Sequence, residues 1–158
     1  MKNAMVFFLA VALAGCSENN AELLKYGIAK NVVIQTIKDK ELVSGEKHIV
    51  ASCNIVEETQ KVPAKLGSEF GIVYKIGRVD FAPSIRIEEV IIFPDGGVTN
   101  PETGRNVRFD SELLDVSPNT DLYFSYTLDY PWEIKVGTWV FQVRQEGEVL
   151  VEKEFYIE

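Results

Sequence analysis

Short apolar runs with a period of two dominate the chain from about residue 26 onward, and long helical spacing is absent there. Trp139, Phe141 and Val143 fall on one side of an extended segment while Thr138, Gln142 and Arg144 fall on the other, the pattern of a strand with one buried face. Phe70, Ile72, Tyr74 and Ile76 repeat it, as do Leu122, Phe124, Tyr126 and Leu128. These runs predict strands over 28–37, 48–59, 70–79, 85–93, 122–128, 138–145 and 149–157, with a turn of helix over 21–25 and a weak edge strand within 106–117. Glu146-Gly147 makes the tight connection of a terminal hairpin, after which Val151, Phe155 and Ile157 continue a buried face with Lys153 as its one exception. Between the runs stand Ser44-Gly45, Pro94-Asp95-Gly96-Gly97, Asn100-Pro101, Thr103-Gly104 and Pro118-Asn119. Glycine there supplies positive φ, proline fixes φ, and Asn or Asp caps a turn with its side chain. The stretch 94–105 is the longest loop. The fold class that follows is all-β, an antiparallel β-sandwich of about seven strands.

The first residues follow another rule. Met1-Lys2-Asn3 carries one positive charge, 4–12 is apolar, Leu13-Ala14-Gly15-Cys16 ends in small residues, and Ser17-Glu18-Asn19-Asn20 is polar. That is the plan of a secretory signal, and it is shorter than the roughly 20 apolar residues that span a bilayer. Leu13-Ala14-Gly15-Cys16 resembles the lipobox of bacterial lipoproteins. The resemblance implies cleavage before Cys16, diacylglycerol on its sulfur and acylation of the new amine. Two or more acyl chains anchor stably at about 0.8 kcal/mol per buried CH₂, where one does not. The expected organisation is a signal peptide over 1–15, a lipidated tether over 16–25 and a single sandwich domain over 26–158. Ser17, rather than Asp, follows the lipidated cysteine, which by analogy with enteric sorting favours the outer membrane, on its periplasmic face or at the surface.

Composition narrows the partners. Loss of 1–15 leaves 143 residues, a length that suits one domain. The net charge of −8 repels phosphate backbones, so nucleic acid is not an expected partner. With Cys16 acylated, Cys53 is the one remaining thiol, and stability must come from packing without an internal disulfide.

Three further stretches, Phe93 through Gly104, Leu128 through Trp132 and Gly137 through Gln142, are similar to an uncharacterised family of bacterial exported proteins, the domain of unknown function 3859. The resemblance covers roughly Tyr26 to Glu158 and implies no activity. Gly137-Thr138-Trp139 at the start of a penultimate strand is also common in immunoglobulin-like sandwiches, although the cysteine pair of antibody domains is missing.

Candidate chemistry is sparse. His48 is the only histidine, so neither a His-rich metal site nor a two-histidine relay is available within one chain. Ser44 or Ser52 with Asp39 formally completes a triad around it, but no nucleophile elbow is present and the plain reading is a surface histidine. Cys53 lies in an apolar strand and reads as a core thiol. The carboxylates group as Glu57-Glu58, Glu88-Glu89 and the loop residues Asp95, Glu102 and Asp110. Adjacent residues on a strand point to opposite faces, so the Glu pairs do not form a glycosidase dyad. No metal or other cofactor is expected. Asp95, Asn100 and Glu102 in the long loop, with Tyr130 and Trp132, remain as candidate partner-binding residues, although Tyr130-Pro131-Trp132 also suits a plug at the end of the sandwich.

The expected function is a membrane-anchored, non-catalytic interaction or accessory module of the cell envelope with a protein partner there. An inhibitor or immunity-type lipoprotein acting through 94–105 is one alternative, and a carbohydrate binder using the aromatic end is another.

Overall fold

The computed structural model describes residues 20–77 and 83–158, so Cys16, the expected signal peptide and the start of the tether lie outside the described residues. Eleven strands follow in chain order among them: β1 (Asn20–Lys38), β2 (Glu46–Glu57), β3 (Lys61–Val62), β4 (Glu69–Gly77), β5 (Ile85–Ile92), β6 (Val98–Thr99), β7 (Asn106–Val107), β8 (Phe109–Val116), β9 (Asp121–Thr127), β10 (Gly137–Gln145) and β11 (Glu148–Ile157). One sheet has the order β2-β1-β4-β9, the other β3-β11-β10-β5-β8, and β6 with β7 makes a two-stranded ribbon. Pairing is antiparallel except where β3 lies parallel to β11. The fold is an immunoglobulin-like β-sandwich.

The alternating residues meet between the sheets. Phe70, Ile72, Tyr74 and Ile76 from β4 face Trp139, Phe141 and Val143 from β10, all of them buried. The Trp139 ring stands edge-on to Phe93 at 4.8 Å and to Phe70 at 5.8 Å, the geometry the ring quadrupoles favour. Lys153, the misfit on β11, lays its ammonium over the Tyr26 ring at 3.3 Å from the centroid. A cation–π contact of this kind lets a charged stem lie against apolar surface.

Each predicted strand overlaps an observed one, residues 78 and 79 of the strand expected over 70–79 lying outside the described residues, and the weak edge strand within 106–117 is β8 at the margin of its sheet. The helical turn expected over 21–25 is corrected. Asn20–Ile28 pairs with β4 from Gly77 to Phe70, and Ala21 and Leu23 pack against the core. Ladder bonds and burial override the helix propensity of Ala-Glu-Leu-Leu-Lys, which is worth only tenths of a kcal/mol per residue. Residues 20–25, expected in the tether, therefore belong to the sheet.

Candidate functional site

β1 is longer than its neighbour. Only Asn20–Ile28 pairs with β4, whereas Ile28–Lys38 pairs with β2, so the second half of the β1–β2 hairpin projects past the end of β4. Gly27 sits at the crossing with φ +145, where an added Cβ would stand 1.9 Å from the Glu57 carbonyl oxygen. Only glycine permits that approach. Register shifts beyond Ile28 bend the ribbon. Its course is fixed by the Asn31 backbone N–H donating to Glu69 Oε2 at 2.6 Å and Ser125 Oγ donating to Asn31 Oδ1 at 3.3 Å.

The tip of the hairpin then docks on the far sheet. Val43, 2% exposed, inserts into the core. Its N–H donates to Asp110 Oδ2 at 3.0 Å and its carbonyl accepts Asn100 Nδ2 at 2.9 Å. The Arg105 guanidinium donates to the carbonyls of Lys40, Glu41 and Leu42 at 2.7–3.3 Å. The hairpin thus overhangs the gap between β8 and β9, one edge strand of each sheet, and borders an open cleft of about 370 Å³.

Leu42, Ile49, Val50, Ile91, Leu114 and Phe124 supply apolar wall, and carboxyl groups are set among them. Glu89 continues the inward phase of Ile85 and Ile87 on β5, and Asp110 stands opposite Ile91 across the β5–β8 ladder. Burial pushes the Glu89 carboxyl up to about 8; Glu112 adds to this, while the Tyr74 hydroxyl, donating at 2.7 Å, and Lys47 oppose it. Burial also raises Asp110, against the Val43 N–H and Arg105. Asp110 Oδ1 has no hydrogen-bond partner among the described residues. Glu133, in the 3₁₀ turn Pro131–Glu133, is raised by burial too, although it accepts from Tyr126 Oη at 2.8 Å and from the N–H groups of Asp129 and Tyr130. Tyr74 and Tyr126 hold their protons firmly, first because they are buried and then because each faces a carboxylate.

Polar side chains pair with one another around the rim. Lys47 contacts Glu112, and His48 Nε2 lies 2.7 Å from Asp129 Oδ2. His48 Nδ1 shares a 2.8 Å hydrogen bond with Thr36 Oγ1. Thr36, His48 and Asp129 stand in the order of a nucleophile, a base and a carboxylate. Thr36, however, faces His48 across a rung of the β1–β2 ladder rather than on a turn that presents its hydroxyl to a substrate, so the three residues read as a tie between the hairpin and the segment just after β9. Ser44 Oγ bonds the Glu46 carbonyl instead of His48.

Of the five residues singled out for partner binding, only Tyr130 lines the cleft. Its hydroxyl donates to Glu46 Oε2 at 3.1 Å and its ring stacks on Trp132 at 5.5 Å. Trp132 is half-buried and packs against the core, as a plug would. Asp95 and Glu102 are exposed on the loop outside the cleft. Asn100 is buried at 5% exposure, and its amide is spent on Val43 and on the Glu102 N–H. Cys53 is buried and its thiol is pushed up to about 11, chiefly by desolvation. Glu89, Asp110 and Glu133 were not grouped by sequence reasoning. The available signal was a charge in the inward phase, clearest in Ile85-Arg86-Ile87-Glu88-Glu89-Val90-Ile91.

The profile of a family described as a domain of unknown function (DUF3859) matches residues 17–157. A crystal structure of an immunoglobulin-like protein from Pseudomonas aeruginosa superposes with a TM-score of 0.64 at 22% sequence identity, covering 91% of this chain and 100% of that one. No curated protein matches the chain.

Proposed function

We propose, from the premise that the chain belongs to the DUF3859 family, that it is a lipid-anchored, non-catalytic binding module of the bacterial cell envelope whose partner enters the cleft under the first hairpin. The cleft itself carries the reading: a cavity of about 370 Å³ with apolar walls and a few buried polar groups has the size and lining of a ligand site. The projecting part of β1 also exposes Val32, Val33, Ile34 and Ile37. The cleft is preferred to the 94–105 loop because Asn100 and Arg105 are engaged in holding that loop against the hairpin. A non-catalytic role agrees with a single histidine that is tied to Thr36 and Asp129.

Anchoring through Cys16, and with it the envelope location, rests on the lipobox resemblance of Leu13-Ala14-Gly15-Cys16. Mass spectrometry of the native protein tests it: an acylated N-terminal Cys16 is expected, and an intact leader or an unmodified Cys16 overturns it. The binding role is tested by placing a photo-crosslinking amino acid at Tyr123, which lines the cleft and is exposed, in cells. A reproducible adduct is expected. No adduct, together with hydrolase activity of the purified protein that is lost in Thr36→Ala, would replace a binding module with an enzyme.

A further inference from the structure

We infer that one end of the sandwich, the end built by Asn20, the β8–β9 turn and the β10–β11 turn, is a membrane-facing surface seated on zwitterionic headgroups, with the first hairpin tip and the 94–105 loop held on the outward side. The inference rests on reading Cys16 as the lipid anchor and adds the orientation, which an anchor on a long tether would leave open.

The link is short. Strand β1 starts at Asn20, which pairs with Gly77, the last residue of β4, and Ala21 and Leu23 already pack against the core. Six of the ten residues of the expected tether, 20–25, are thereby spent in the sheet. Only 17–19 separate Cys16 from Asn20. An extended chain covers at most ~3.6 Å per residue, so Asn20 stays within ~14 Å of the lipidated cysteine.

The surface around Asn20 is assembled from distant parts of the chain. The Asn119 N–H donates to the Ile76 carbonyl at 2.8 Å, and a Cβ on Gly77 would stand 3.2 Å from the Asn20 carbonyl oxygen and 3.9 Å from Asn119 Oδ1. In the second sheet Ile85 pairs with Val116 and Glu88 with Arg144, which brings the β10–β11 turn to the same end. Asn119, Thr120, Glu146 and Glu148 are exposed there, polar groups that suit the headgroup layer rather than the hydrocarbon beneath it. Lys75 and Arg86 are engaged by Asp121 and Asp115. That balance of charge favours zwitterionic over anionic lipid, and the short link supplies the contact.

The opposite end is out of reach. From Val116 to Asp110, where the hairpin tip docks, six residues of strand at about 3.3 Å each span roughly 20 Å, and the 94–105 loop lies at that far end. An inverted domain would need a longer link than 17–19 provide.

The test places the acylated full chain in phosphatidylcholine nanodiscs that contain a lipid with a nitroxide on its headgroup, and reads paramagnetic broadening at assigned backbone amides. Thr120, Asp121 and Gly147 are expected to lose more than half their intensity, and Glu41, Glu102 and Gly104 less than a tenth. A ten-residue Gly-Ser insertion between Asn19 and Asn20 is expected to at least halve the loss at the first three. Broadening strongest at Glu41 or Glu102, strongest at Phe109 and Leu113 on the β8 side, uniform, absent, or unchanged by the insertion overturns the orientation. In those cases an acylated chain that still co-purifies with the discs keeps the anchor and loses only the seating; a chain that is not acylated and leaves the discs loses both.

Discussion

Glu89→Gln isolates the most consequential buried group. The carboxyl has an ordinary value of 4.5 and is pushed to about 8 in the folded chain, first by burial and then by Glu112, against the Tyr74 hydroxyl and Lys47. Between those values the folded protein holds a proton that the unfolded chain has released. Stability is therefore complete below 4.5, declines as pH rises, and levels off above 8, with a slope of about 1.4 kcal/mol per pH unit. From pH 5 to 8 that amounts to about 4 kcal/mol, a large share of the roughly 5–15 kcal/mol typical of a domain. Glutamine keeps an oxygen for Tyr74 and does not titrate, so the variant is expected to show a much flatter profile. Asp110 and Glu133, both raised by burial, leave a residual slope of the same sign. Urea unfolding of the purified protein followed by tryptophan fluorescence, at unit steps from pH 5 to 8, measures both profiles. Wild-type stability that is constant or rises across the window, or a variant with the wild-type slope, refutes the reasoning.

The hairpin tip offers a second test: Asn100→Ala removes the donor to Val43 and the acceptor for the Glu102 N–H, and a loss of about 1–3 kcal/mol is expected, read from the urea midpoint together with faster hydrogen exchange at Val43. Gly27→Ala places a Cβ against the Glu57 carbonyl at a positive φ, so the variant is expected to lose more stability than the ~1 kcal/mol of a typical substitution, measured by thermal melting. Cys53, buried and with its thiol raised to about 11, is expected to react slowly with a maleimide in the native protein and quickly in urea, and fast native labelling would contradict its placement.

Much of the sandwich is legible because strand signals are local. Trp139, Phe141 and Val143 announce a buried face within a few residues of one another, and Pro94-Asp95-Gly96-Gly97 announces a turn whatever lies around it. Local reasoning failed at residues 21–25, whose helix-forming composition is overruled by β4, some fifty residues further along the chain. It also undervalued Asn100, which looked like an exposed loop side chain and is a buried strut for Val43.

What the amino-acid order decided alone is therefore the class of fold, the extent of most strands and the aromatic core, since alternation and turn chemistry depend only on near neighbours. Tertiary structure decided the site. The bend of the first hairpin, its docking through Val43 onto Asp110 across 67 residues of sequence, and the gathering of Glu89, Asp110 and Glu133 beside one cleft exist only once the hairpin overhangs two sheet edges. An inward carboxylate on a strand looks like a patterning fault until the cleft beside it has been assembled.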